Sequence, residues 1–161
     1  MTAFQIRDVR LPQDKAQLLE FILGSQQFEK SFEPNRRLDE DVAREYFESL
    51  CSEVSKKGGR ILVAEDERGS LLGWAVALAA EDEIFVADAE RRFAYLSELY
   101  VAEAARGAGI GQALIRACET WARSAGYSSI RIGVLSGNTR ADRIYREAGY
   151  APYALTLRKY L

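Results

Sequence analysis

The 161-residue chain has no histidine, two cysteines, one methionine and three prolines. Each shortage excludes something. Without imidazole there is no Ser-His-Asp or Cys-His nucleophile and no histidine general base. Two cysteines cannot furnish a four-ligand zinc site of the usual Cys/His kind, so no metal is expected. Cys51 and Cys118 lie far apart, and Met1–Arg10 carries charges rather than an apolar leader, so no disulfide framework is expected. Long hydrophobic runs are missing too. The longest uncharged stretch, Gly69–Ala80, has 12 residues, too few for a helix to cross a bilayer core of about 30 Å. Charge of one sign is not in excess: 22 Lys+Arg against 24 Asp+Glu give a net −2. That balance offers no whole-chain reason to expect nucleic acid or a membrane as partner. The expectation is a soluble cytoplasmic protein with one domain over residues 1–161. If it is an enzyme, it moves protons without imidazole.

What is present falls into a clear order. Phe4, Ile6 and Val9 alternate as a short opening strand. Pro12 stands where a helix can begin, with Leu18, Leu19, Ile22 and Leu23 on its apolar face and Gly24 as its end. Ser25–Arg37 reads as a loop. A second helix fits Leu38–Lys56 through Val42, Tyr46, Phe47, Leu50, Cys51 and Val54, and Gly58-Gly59 stops it. Ile61–Ala64 and Leu71–Leu78 flank turn residues as a hairpin, which Phe93–Val101 extends into a meander. A glycine-punctuated loop, Ala102–Gly109, opens a helix bearing Ile110, Leu114, Cys118 and Trp121, and Gly126 ends it. Ile130–Leu135 is a strand, Thr139–Ala148 a helix, and Tyr150–Leu161 closes with one or two strands. The order β-α-α-β-β-β-α-β-α-β-β predicts an α/β (α+β) fold. Its single mixed, mostly antiparallel sheet would have six or seven strands flanked by about four helices. Tyr95–Leu135 should be a parallel strand–helix–strand crossover.

The most informative stretch runs from Leu99 to Gly111. Three glycines in five residues (Gly107, Gly109 and Gly111), between a strand and a helix, let backbone N–H groups turn toward one point. The helix start adds unpaired donors and roughly half a positive charge there. Such a nest suits a pyrophosphate. Arg106 either adds its charge to it or pairs with Glu103. Two familiar phosphate loops are excluded: Gln112 stands where a dinucleotide fingerprint needs its last glycine, and no Gly-Lys-Ser/Thr follows. What remains is Arg106-x-x-Gly109-x-Gly111. A second pattern lies downstream, Asn138-x-x-Ala141-x-x-x-Tyr145-x-x-x-Gly149-Tyr150. Together, over about Arg60–Tyr150, they resemble the GNAT superfamily of acyl-coenzyme A N-acyltransferases.

That resemblance implies acetyl-coenzyme A as co-substrate. The amides of Arg106, Gly107, Ala108, Gly109, Ile110 and Gly111 would hold its pyrophosphate. Leu99, Tyr100 and Val101 would pair with the pantetheine arm, with a backbone N–H near Val101 facing the thioester oxygen. Asn138 is a helix N-cap by position, and the family uses the matching residue to contact the coenzyme. Tyr145 lies on one helical face with Ala141, Ile144 and Ala148 and could be core; the matching family tyrosine is the general acid at the coenzyme sulfur. A phenol near pKa 10 gives its proton to a thiolate near 8.5 uphill by about 2 kcal/mol, so a hydrogen bond or late transfer is expected.

For the base, Glu98 is the candidate, acting through water. Strand alternation lets only one of Ser97 and Glu98 face the substrate. The expected acceptor is a small-molecule primary amine, such as a polyamine or aminoglycoside. Glu81, Asp82, Glu83, Asp88 and Glu90 would form an acidic rim that attracts it. Two other readings are an acyl-coenzyme A sensor without catalysis and a protein or peptide N-acetyltransferase. Self-association into a homodimer stays open.

Overall fold

The structure, a computed structural model, describes residues 3–161. Its elements are β1 (Phe4–Asp8), α1 (Lys15–Glu29), α2 (Glu40–Lys57), β2 (Gly59–Asp66), β3 (Leu71–Glu81), the single turn α3 (Asp88–Arg91), β4 (Arg92–Val101), α4 (Ile110–Ser124), β5 (Ile130–Ile132) and α5 (Thr139–Glu147). The five strands form one sheet in sequence order. β1 to β4 pair antiparallel. β5 joins β4 in parallel, the arrangement a helical crossover allows.

The sheet is covered on both faces, and strand alternation sorts the two cores. Trp74, Val76 and Leu78 of β3 point toward α1 and α2, where they meet Leu18, Phe21, Ile22, Phe47 and Leu50. Ala75 and Ala77 point the other way, with Leu62, Ala64 and Leu96, against the α4 stripe Ile110, Leu114, Ile115 and Cys118. Small residues on the second face let α4 sit close, and Trp74, fully buried, fills the first.

Three departures from the sequence reading bear on the sheet and the site. Gly24 does not end α1, which continues to Glu29. A Cβ at Gly24 would lie 2.4 Å from the Tyr100 hydroxyl, so this glycine admits a neighbouring ring rather than breaking the helix. The β5 strand ends at Ile132 instead of Leu135, because it stops pairing with β4 there. The closing strands do not form: Ala151–Leu161 has no regular structure and is exposed throughout. The sheet therefore has five strands rather than six or seven. Alternation specifies which residues suit a strand, but a strand also needs a partner edge.

The start of the chain is fixed by charge. Arg7 of β1 bonds Asp14 at 2.7 Å and Glu65 of β2 at 2.5 Å, and all three side chains are nearly buried. Asp14 also accepts from the Arg10 amide. These bonds hold both carboxyls below the usual range, Glu65 down to about 2. Their stabilisation is therefore complete above about pH 4.5 and is lost as the pH falls toward 2. Replacing Arg7 by methionine should lower the urea midpoint at pH 7 by leaving the Asp14 carboxylate without its ion pair and Glu65 with only the more distant Arg10. The gap from the parent should narrow as the pH falls through this window; a gap constant from pH 7 to 2.5 would contradict the assignment.

Candidate active site

The site begins with one extra residue in β4. Val76 stands opposite Glu98 and Ala77 opposite Leu96, so Ser97 is a bulge. Its hydroxyl donates to the Val76 carbonyl at 3.3 Å. The bulge overturns the expectation that Ser97 and Glu98 face opposite ways: both line the same cavity on the α1–α2 side. It also coincides with the end of the β4–β5 ladder, whose last pair is Leu96 with Ile132. Beyond that point the strands part, and one edge of β4 is left open. Ala102 donates its N–H to Leu72 across the other edge. The Val101 amide, one residue earlier, therefore points into the gap.

The gap holds a cavity of about 690 Å³ walled by β4, the glycine loop and α5. Gly107 and Gly109 have φ of 85° and 78°, a region that favours glycine. None of the amides from Gly107 to Gln112 has a backbone partner among the described residues, so the helix start presents a set of free donors. Leu99, Tyr100, Val101, Arg106, Gly107, Gly109, Ile110, Gly111, Asn138 and Tyr145 all line this cavity; Ala108 does not. Arg106 does not pair with Glu103. Its Nε donates to the Val101 carbonyl at 3.1 Å, and its guanidinium lies over the Phe28 and Tyr100 rings. It thus ties the loop to the end of β4. Asn138 caps α5 by accepting from Ala141 at 3.1 Å while also facing the cavity. Arg140 and Arg143, one helical turn apart, line the same wall and were not singled out from the sequence. Free amides, a helix N-terminus and these arginines form a donor set suited to phosphates.

A second cavity, of about 370 Å³, adjoins the first between α1, α2 and β4. Glu98 lines it, and burial pushes its pKa up to about 7 despite a hydrogen bond from Tyr46 of α2. Tyr46 was read as part of an apolar helical stripe; its ring does follow that stripe, but its hydroxyl reaches across to β4. Glu29, whose pKa is also raised by burial, lines the same cavity and bonds Arg36 at 3.0 Å. Tyr145 and Leu99 belong to the walls of both cavities. The Tyr145 hydroxyl has no hydrogen-bond partner among the described residues, and burial lifts its pKa to about 12.

The acidic segment after β3 lies elsewhere. Glu81 and Asp88 pair with Arg91, and Asp82 pairs with Arg131. None of its five acids lines either cavity, so the expected acidic rim is not part of this site. Both cysteines have raised pKa values from burial, Cys118 to about 12, which leaves neither as a nucleophile at neutral pH. No helix among the described residues is long and apolar enough to cross a membrane.

The sequence pattern described as Acetyltransferase (GNAT) family matches residues 24–150. The chain belongs to the GNAT acetyltransferase family. Solved GNAT-type structures agree in fold over nearly the full length. A candidate acetyl transferase from Pyrococcus furiosus is 28% identical with TM-score 0.75, covering 99% of this chain and 100% of its own. Aminoglycoside N-acetyltransferase AAC(6')-Iy in complex with CoA is 18% identical with TM-score 0.68, covering 100% and 97%. Glucosamine-6-phosphate N-acetyltransferase from Arabidopsis thaliana is 16% identical with TM-score 0.68, covering 98% of each. No curated protein matches the chain significantly.

In this GNAT chain, the Tyr46 hydroxyl favours the charged form of Glu98. Carboxyl-selective infrared or carbon NMR titration should find one carboxyl titrating near pH 7. In Tyr46→Phe that titration should move to higher pH. No carboxyl titrating above about 5.5 in the parent would contradict the environment described for Glu98.

Proposed function

We propose that this chain transfers an acetyl group from acetyl-coenzyme A to a primary amine, which attacks the thioester directly while both substrates are bound. The observation that carries the reading is the junction of the two cavities at Tyr145 and Leu99. One cavity has the donors and shape for a long phosphorylated ligand; the other is short and ends at a carboxylate. Bound acetyl-coenzyme A supplies the activated carbonyl and a thiolate leaving group.

The amides of Gly107, Gly109, Ile110 and Gly111 hold the pyrophosphate, with Arg140 and Arg143 reaching other phosphate oxygens. Asn138 contacts the arm beyond the pyrophosphate. The open edge of β4 at Leu99–Val101 aligns the amide-bearing arm as an added strand. The outward Val101 N–H stabilises negative charge on the carbonyl oxygen during attack. Glu98 accepts the proton lost by the amine, directly or through water. An alkyl ammonium of pKa near 10.4 leaves roughly one molecule in a few thousand unprotonated at pH 7, so this proton must have somewhere to go. Tyr145 acts at the sulfur. With its pKa near 12, full transfer to a thiolate is uphill by roughly 5 kcal/mol. It therefore stabilises the departing sulfur by donating a hydrogen bond, and gives up its proton only as the C–S bond finishes breaking.

The acceptor cavity carries Glu29 and Glu98 against the single cation Arg36. That balance, with its limited volume, supports a small cationic amine over a protein side chain. A thiol-release screen with spermidine, an aminoglycoside and lysine peptides should give turnover with a small polyamine-like or aminoglycoside-like compound. Binding of acetyl-coenzyme A with no release in any arm would favour a sensor instead. For the best acceptor, Tyr145→Phe should lower kcat by about 10²- to 10⁴-fold while donor affinity stays within about twofold. An unchanged kcat would remove Tyr145 from the chemistry.

A further inference from the structure

The charges of the acceptor cavity continue past its wall. Arg36, on the segment between α1 and α2, lines the cavity and sets its Nη2 between two carboxylates. Glu29 lies at 3.0 Å and Glu33 at 2.7 Å. The Nη1 of Arg36 donates to Gln26 at 3.1 Å, so both terminal nitrogens are committed. One cation thus joins two acids. Glu29 and Glu98 line the cavity; Glu33 lines neither cavity and stands just outside, tied to the wall by Arg36.

That outer acid already has a second occupant. Its Oε2 belongs to Arg36, while its Oε1 accepts from Nη1 of Arg158 at 3.2 Å. Arg158 arrives on Ala151–Leu161, a segment with no regular structure. Among the described residues this tail makes no backbone hydrogen bond to the rest of the chain. It carries two cations, Arg158 and Lys159, and no acidic side chain. Glu33 is the hydrogen-bond partner that holds the Arg158 guanidinium to the body, and Tyr160 of the same tail lies against it.

The outer carboxylate therefore takes a cation borne on a flexible arm, beside the cavity where an amine is to react. An amine seated at Glu98 with a second ammonium along its chain would bring that charge to the same place. Ammonium and guanidinium both donate charge-assisted hydrogen bonds to a carboxylate oxygen. The tail is a weak competitor, because Arg158 is half exposed and pairs of that kind contribute little. A ligand already anchored at Glu98 makes its second contact at high effective concentration. Arg158 itself cannot react there, since a guanidinium stays protonated and is no nucleophile.

We propose that Glu33 is the subsite for a distal cation of the acceptor, and that Arg158 fills it until the acceptor displaces it. This rests on the reading of the cavity as an acceptor site and narrows it. The acceptor is an amine with at least two cationic groups, one reacting beside Glu98 and another read by Glu33.

The test compares spermidine with n-butylamine, which shares its aminobutyl end but carries a single charge. Calorimetry on the full chain with coenzyme A present should find spermidine bound about tenfold more tightly. Glu33→Gln should remove most of that advantage and leave butylamine within about twofold. Arg158→Gln should act in the opposite sense, tightening spermidine by about threefold and leaving butylamine unchanged. In turnover, both substitutions should change KM for spermidine with kcat within about twofold. A merely structural role for Glu33 would weaken both amines together and would give no gain in Arg158→Gln. Equal affinity for the two amines would overturn the proposal, as would spermidine binding that either substitution leaves unchanged. Failure of spermidine to bind would overturn it too; the acetyl-transfer reading falls only if no arm of the thiol-release screen turns over.

Discussion

The bulge at Ser97 is the constraint on which the rest of the site depends. One inserted residue changes the course of β4 at the point where its ladder with β5 ends. Three consequences follow from that single irregularity. The strands part, which opens a cavity in the middle of the sheet. The edge of β4 from Leu99 onward is freed, so backbone amides that would be spent on a neighbour face the cavity. Ser97 and Glu98 both turn toward α1 and α2, which brings the carboxylate beside the Tyr46 hydroxyl. A regular strand would have hidden one of them against α4.

In the proposed reaction the absence of histidine has a structural answer. A carboxylate of ordinary pKa is a weak base at neutral pH, but burial lifts Glu98 into the range an imidazole would occupy. The Tyr46 hydrogen bond opposes that rise and keeps the group ionisable. At the other side of the junction, burial makes Tyr145 a weaker acid, which in the proposed reaction suits a hydrogen-bond donor to a thiolate better than a proton source. The glycine loop works with no side chain at all: its geometry comes from Gly107 and Gly109 in the left-handed region and its charge from a helix end. Arg106, the cation of the loop, supports the strand instead by holding the Val101 carbonyl.

The parts of the fold with strong periodicity were legible in the sequence. The α4 stripe, the β2–β3–β4 meander and the cap at Asn138 all follow from spacing and residue type, and the glycine loop from its composition. What escaped was set by contacts between distant segments. Gly24 looked like a stop because the pattern cannot show the Tyr100 ring that it admits. Tyr46 looked like core because its position on the helix is right for core; its hydroxyl partner lies 52 residues away. The bulge at Ser97 leaves no trace in a strand that still reads as continuous. The acidic run after β3 suggested a substrate rim, yet it lies away from both cavities, with Glu81 and Asp88 paired to Arg91 and Asp82 to Arg131 at the far end of the sheet.

The central claim is that a buried carboxylate replaces imidazole as the base. The most direct measurement is the pH dependence of kcat/KM for the parent and for Glu98→Gln, with the same amine acceptor. The parent should show a limb near pH 7 that rises as Glu98 loses its proton, in addition to the rise from the amine itself. The glutamine variant should lose that limb, be slower by about 10²-fold or more above pH 7, and follow only the amine near pH 10. A limb near pH 7 that persists unchanged in Glu98→Gln would contradict the account.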